Sequence, residues 1–131
     1  MIRLTIPGRP VPCVRMTQKS KWVSPAALRY LAYKDGVAWI GRKSISQSLS
    51  GSVGVTVKFY LYGLRLPDID NLIKAVFDGL NGVAWADDRQ VVRVTAERLA
   101  ATSRDDERAE IEIVEVQYGT DKTQPNTKTR L

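Results

Sequence analysis

The stretch that decides the fold is PDIDNLIKAVFDGLNGVAWADD, which runs from Pro67 to Asp88. Its apolar residues fall at helical spacing and predict a short helix over residues 69–80. The apolar stripe consists of Ile69, Leu72, Ile73, Val76, Phe77 and Leu80. The stretch also gathers five of the chain's 14 acidic residues around one lysine, Lys74, in a protein of net charge +6. These acidic residues are Asp68, Asp70, Asp78, Asp87 and Asp88.

The segments on either side of this helix predict strands and one further helix. Residues 51–63 place apolar side chains on one face at period two, and residues 2–6 alternate in the same way. Residues 89–100 and 109–118 are expected to pair as a hairpin across the polar turn SRDDER. Ser24 before Pro25 predicts the start of a helix over about 25–42. The order β-α-β-α-β-β indicates an α+β fold with a mostly antiparallel or mixed sheet and two main helices.

Length and composition limit the kinds of chemistry that the chain supports. At 131 residues it is expected to form one domain over residues 1–118, followed by a disordered polar tail at 119–131. It contains no apolar run of about 18–20 residues and no secretory signal, so we expect a cytoplasmic protein without a membrane segment. The chain has no histidine, and Cys13 is its single cysteine. Chemistry must therefore use carboxylates, lysines, hydroxyls or a hard metal ion.

The first 50 residues are strongly basic. They carry nine lysines and arginines against one acid, Asp35, so their net charge is 9 − 1 = +8. Nucleic acid is the first partner that such a surface suggests. The segment after the first strand is rich in proline and is expected to contact DNA phosphates through Arg9, Arg15, Lys19 and Lys21. The alternative is an ordinary solvated loop whose Trp22 packs on the core.

The acidic residues have a purely structural interpretation. Asp68 is placed to cap the predicted helix, and Asp70 lies in its first turn, where negative charge suits the helix dipole. Lys74 is four residues from both Asp70 and Asp78, and such pairs stabilise a helix by about 0.2–0.5 kcal/mol each. The remaining two, Asp87 and Asp88, would be turn residues before a strand.

A functional interpretation explains the same residues together. If the helix crosses the sheet, the pair Asp68 and Asp70 can meet the pair Asp87 and Asp88 at one end of it. Carboxylates that lie so close repel one another unless a divalent cation binds them, and oxygen ligands suit Mg²⁺ or Mn²⁺. Such a site hydrolyses phosphodiesters, and Lys74 would neutralise the charge that develops on the phosphorus.

The sequence DIDNLIKAVFDGLNGVAWADDRQVV resembles the signature of the RusA family of Holliday junction resolvases. The matching residues are Asp68, Asp70, Asn71, Lys74, Asp78, Leu80, Trp85, Asp87 and Asp88. The resemblance implies a homodimeric, Mg²⁺-dependent endonuclease, often encoded by a prophage, that nicks four-way junctions symmetrically in DNA recombination and repair. Mn²⁺ is expected to substitute for Mg²⁺, and no small-molecule cofactor is implied.

The same resemblance implies roles for individual residues. Asp68, Asp70 and Asp88 would be the essential metal ligands, and Lys74 the catalytic or DNA-contacting lysine. Asn71 and Asp78 would support them. Apart from the resemblance, Asp78 shares a helical edge with Lys74, so we expect it to position the lysine amine; the alternative is a solvated salt-bridge partner. The stretch between Leu80 and the adjacent aspartates is one residue shorter than the family pattern, which leaves the choice between Asp87 and Asp88 as third ligand open.

Two other functions remain possible on the sequence. One is a metal-dependent nuclease that cuts other branched DNA or RNA with the same residues. The other is a non-catalytic DNA-binding or regulatory protein whose acidic cluster is structural. A requirement for Mg²⁺ distinguishes the second from any nuclease, because a binding protein does not need the ion.

Overall fold

The computed structural model describes residues 1–15 and 24–117. The expected tail at 119–131 and the residues Lys19, Lys21 and Trp22 lie outside these ranges. The strands are β1 (Ile2–Pro7), β2 (Val53–Leu61), β3 (Val91–Ala100) and β4 (Arg108–Glu115). The helices are α1 (Pro25–Ser44) and α2 (Ile69–Leu80), with short 3₁₀ turns at Asp88–Gln90 and Arg104–Asp106. The predicted α+β fold and its element order are confirmed.

The sheet has the order β1-β4-β2-β3. Strand β4 is antiparallel to both β1 and β2, whereas β3 is parallel to β2. The predicted hairpin between β3 and β4 is therefore wrong, because β2 lies between them. Burial explains the order: Ala109, Ile111 and Ile113 of β4 are fully buried, while β3 leaves Val94 43% exposed and suits an edge.

Both helices are fixed by local sequence and by a close contact between them. Ser24 caps α1 by accepting a hydrogen bond from the Ala27 amide at 3.3 Å, and Pro25 follows it, as predicted. The helices meet at Gly79 of α2. A Cβ atom there would lie 2.7 Å from the Val37 Cβ and 2.9 Å from the Lys34 carbonyl oxygen, so only glycine permits this approach.

One hydrophobic core lies between the helices and the sheet. Alternate residues of β2 face it, and α2 contributes Leu72, Val76 and Leu80, all of them fully buried. Trp85, just beyond α2, is also fully buried and meets the Phe77 ring edge-on, with 5.4 Å between ring centroids. No helix within the described ranges is long and apolar enough to cross a membrane.

Helix α2 is the crossover between two parallel strands, and this determines where its ends lie. Val53 and Leu61 of β2 pair with Val91 and Ala100 of β3, so both strands run the same way. The helix must return from the carboxyl end of β2 to the amino end of β3. Its 12 residues span about 18 Å at 1.5 Å per residue. The residues before α2 therefore lie near the carboxyl ends of these two strands, and the residues after α2 lie near their amino ends.

Candidate functional site

The first acidic pair lies at the amino end of α2. Asp68 is the residue that precedes the helix, but its side chain accepts no capping hydrogen bond, and it is exposed. Asp70 is exposed in the first turn, and its Oδ1 accepts the adjacent Asn71 amide at 3.0 Å. The capping role that the structural interpretation gives to Asp68 is not realised. Both carboxylates face solvent at the positive end of the helix dipole.

The second acidic pair lies beyond the carboxyl end of α2, and its members differ in their contacts. Asp87 caps the 3₁₀ turn: its Oδ1 accepts the Arg89 amide at 2.9 Å, and Gln90 completes a capping box. Hydrogen bonds from the backbone and side chain of Arg89 hold the pKa of the Asp87 carboxyl below its usual value. Asp88 instead accepts the indole N–H of buried Trp85 at 2.8 Å through Oδ1.

A single chain does not bring the two pairs together. Because of the crossover, Asp68 and Asp70 lie near the carboxyl ends of β2 and β3. The other pair, Asp87 and Asp88, lies near the amino ends of these strands. In the part of the chain that the structure describes, no group of three acidic or cysteine side chains could hold a metal ion. The expectation that both pairs meet at one end of the helix therefore fails for one chain. The reason is the parallel pairing of β2 with β3.

Lys74 and Asp78 share an edge of α2 but have different environments. Lys74 is exposed, and its amine forms no ion pair with Asp70 or Asp78 in the described chain. Asp78 instead accepts a hydrogen bond from the Tyr30 hydroxyl of α1, and the Cys13 Sγ lies 3.8 Å from the same carboxyl oxygen. Burial, followed by the bond to Asp78, raises the pKa of the Tyr30 hydroxyl. Asp78 therefore joins α2 to α1, and among the described residues it forms no ion pair with Lys74.

The basic segment after β1 runs along α2. The Cys13 amide donates a hydrogen bond to the Asn71 carbonyl at 2.8 Å, so the backbone of Asn71 binds this segment to the first turn of α2. Arg15 is exposed two residues further on. Arg9 has a structural contact that the sequence did not indicate: its Nη1 pairs with Glu107 at 2.5 Å. Glu107 sits in a polar turn, and no spacing in the sequence marks it as a partner of Arg9.

The exposed carboxylates fit a hard divalent cation in their chemistry. Asp68, Asp70 and Asp88 offer ionisable oxygen ligands without histidine or thiolate, the donor set that Mg²⁺ and Mn²⁺ prefer. Asp88 keeps its second oxygen outside the bond to Trp85. Asp87 is already engaged by Arg89 and its own turn, which makes it the poorer ligand of the adjacent pair.

A model of one known protein family matches this chain. The family model for the endodeoxyribonuclease RusA matches residues 7–114, which include every described carboxylate and basic residue discussed above. No individually curated protein matches the chain. The matched region covers most of the 131 residues, from the end of β1 almost to the end of β4. The chain therefore belongs to the RusA family of endodeoxyribonucleases.

Proposed function

We propose that this protein is a metal-dependent endonuclease that resolves four-way DNA junctions by paired nicks. The observation that carries the proposal is the pair of exposed carboxylates at the amino end of α2, Asp68 and Asp70. The Asp68 side chain makes no capping bond to the helix, and the exposed Lys74 lies one turn after Asp70. Membership of the RusA family supports DNA cleavage by an endonuclease and, through the family, the junction as substrate. The metal requirement and a role in recombination and repair are parts of the proposal.

Asp68, Asp70 and Asp88 would hold the cation in the proposed site. A bound Mg²⁺ would polarise the scissile phosphate and lower the pKa of an attacking water. Lys74 would face the phosphate one helical turn from Asp70 and offset its negative charge. Asn71 would support the first turn of α2 by holding the segment that carries Arg15. Because Asp78 is tied to Tyr30, it would keep α2 in place against α1.

The separation of the acidic pairs argues that two copies of the chain complete each site. Asp88 is held by Trp85 at the end of the parallel strands that lies opposite Asp68 and Asp70. Neither acidic pair alone offers a third carboxylate. A homodimer with a two-fold axis can bring Asp88 of a second copy to Asp68 and Asp70 of the first, and it does so twice. Two equivalent sites suit two symmetric cuts in a four-way junction.

The first experiment compares cleavage of a synthetic four-way junction, linear duplex and single strand, with Mg²⁺ and with EDTA. We expect paired, metal-dependent nicks in the junction alone, and their loss in Asp70→Asn. Mn²⁺ should replace Mg²⁺. Metal-dependent cutting of flaps or RNA, without cutting of junctions, would mean that the protein is a nuclease with another substrate. Junction binding without cutting would contradict the proposal and leave a binding protein.

A mixing experiment tests the shared site. Asp70→Asn and Asp88→Asn should each be inactive, whereas a re-equilibrated mixture should nick junctions. In a mixed dimer, one shared site carries both substitutions and the other carries neither, so single nicks should replace paired ones. If each site lies within one chain, every site in the mixture is defective, and the mixture should stay inactive. The matched control mixes Asp68→Asn with Asp70→Asn, which share one end of α2 and cannot complement each other.

A further inference from the structure

A cavity of about 580 Å³ opens beside the loop that connects β2 with α2. Its walls include Tyr62, Leu64, Arg65 and Arg104, together with the ion pair of Arg9 and Glu107. Three of these side chains are cationic, and the single anion is already paired with Arg9. The cavity therefore keeps an excess of positive charge. Its volume lies within the range of about 300–1,000 Å³ that is common for ligand sites.

The ion pair holds the cavity wall in a fixed shape. Arg9 donates from Nη1 to the Tyr62 carbonyl at 3.1 Å and from Nη2 to the Arg65 carbonyl at 2.5 Å. The Glu107 Oε2 accepts the Tyr62 amide at 2.8 Å. Within the described residues, Glu107 is the one charged side chain that is buried, with 7% exposure. Burying a carboxylate is costly, and here the carboxylate orders a surface loop, so the cavity is preformed.

The cavity lies next to the first acidic pair. Arg65 is three residues before Asp68, so their Cα atoms are at most about 11 Å apart. Between them, the Pro67 carbonyl accepts the Arg98 Nη1 at 2.7 Å, which fixes the approach to α2. A nucleic acid strand rises about 3.4 Å per nucleotide, so the cavity is within about three nucleotides of a phosphate held at Asp68.

The lining combines groups that recognise a base and a phosphate. Tyr62 is 47% exposed and Leu64 is fully exposed, so an aromatic and an apolar side chain face solvent. Exposed aromatic rings stack on unpaired bases, and guanidinium groups bind phosphates. Arg65 and Arg104 provide two such groups on the same cavity.

We infer that this cavity binds one unstacked nucleotide of the DNA strand that enters the carboxylate site. Its base lies against Tyr62 and Leu64, and its phosphate is held by Arg65 and Arg104. The inference rests on the proposed function, because it names the substrate group next to the phosphate that is cut. It also gives a structural basis for preferring junctions, since bases at a branch point unstack more readily than bases in a duplex.

The test uses a four-way junction that carries 2-aminopurine at one of three successive positions beside the cut, with EDTA present so that the DNA stays intact. Binding should brighten the probe at one position as the base leaves the stack. Tyr62→Ala should abolish the brightening and weaken binding about tenfold, whereas Tyr62→Phe should keep both. Arg104→Ala should lower the salt slope of binding by about one.

Arg3→Ala is the matched control for the loss of one arginine. Arg3 lies on β1, four residues from the end of the strand that reaches the cavity, and its Nε pairs with Glu112 at 3.2 Å. This variant should keep the full probe signal. Brightening that persists in Tyr62→Ala, or no brightening with the unaltered protein, would overturn the inference.

Failure of the inference and failure of the proposed function give different results. Junction cleavage with Mg²⁺ but without any Tyr62-dependent brightening would leave the nuclease and remove the nucleotide site. Tyr62-dependent brightening without cleavage would leave the nucleotide site and remove the nuclease. A protein that neither binds nor cuts the junction would contradict both.

Discussion

The contact between Asp88 and Trp85 makes a prediction that separates the two adjacent aspartates. Trp85 is fully buried, and its indole N–H donates to the Asp88 Oδ1 at 2.8 Å. Asp88→Ala removes the acceptor and leaves the N–H without its partner. A buried donor without a partner costs about 1–3 kcal/mol, and we expect about 1–2 kcal/mol here because Asp88 is exposed and water can reach the site.

This loss of folding free energy should appear in thermal unfolding. For a domain of this size it lowers the melting temperature by about 4–8 °C. Asp88→Asn keeps an oxygen that can accept from the indole, so its melting temperature should stay close to that of the unaltered protein. Both variants lack the carboxylate and should lose junction cleavage. The assay is calorimetry or circular dichroism at neutral pH, with cleavage measured on the same preparations.

Asp87→Asn is the comparison for Asp88→Asn. The Asp87 carboxylate is engaged by the Arg89 amide and guanidinium, so we expect Asp87→Asn to keep most of the cleavage that Asp88→Asn loses. The reasoning is refuted if Asp87→Asn abolishes cleavage while Asp88→Asn does not. It is also refuted if Asp88→Ala melts at the temperature of the unaltered protein.

Three further predictions concern stability. Asp70→Asn should abolish cleavage yet leave the metal-free melting temperature equal or higher, because the asparagine can still accept the Asn71 amide and a repelling charge is lost; a clear drop would favour a structural role. Gly79→Ala should destabilise the fold by about 1–3 kcal/mol, because its methyl group clashes with Val37 and the Lys34 carbonyl. Gly36→Ala has open space around it and should stabilise the fold by about 0.5–1 kcal/mol. If these two variants unfold at the same denaturant concentration, the close contact at Gly79 is contradicted. The lowered pKa of Asp87 means that its ionised form stabilises the fold above the ordinary value of 3.8 and that this contribution disappears as the pH falls through the lower, folded-state pKa. The gap in melting temperature between the unaltered protein and Asp87→Asn should therefore shrink as the pH falls below about 4, and a gap independent of pH would contradict this cause.

The elements of this fold could be predicted because their signals are local. The apolar stripe gave both ends of α2, and Ser24 with Pro25 gave the start of α1. The pairing of the strands could not be predicted in this way. The polar turn before β4 has the composition of a hairpin, but β2 buries six of its nine residues and needs a neighbour on each side. That requirement depends on contacts between distant residues.

The candidate site shows the same division. The sequence could identify which carboxylates and which lysine to consider, because their types and spacing are local properties. It could not place Asp88 at the far end of α2, since that follows from the parallel pairing of β2 with β3. The bonds of Asp78 to Tyr30 and of Arg9 to Glu107 span 48 and 98 residues. No local pattern marks such partners.

The topology of the chain has a consequence for how the proposed enzyme would be controlled. A crossover helix between parallel strands must separate the residues before it from those after it, whatever its length. In the proposed enzyme, carboxylates on both sides of α2 would therefore act on one phosphate through a second copy of the chain. In such a dimer, an isolated chain has no complete site, so cleavage should vanish on dilution below the dissociation constant of the dimer. A nuclease with this arrangement cuts only when two sites are assembled, which suits a substrate that must be cut twice to be resolved.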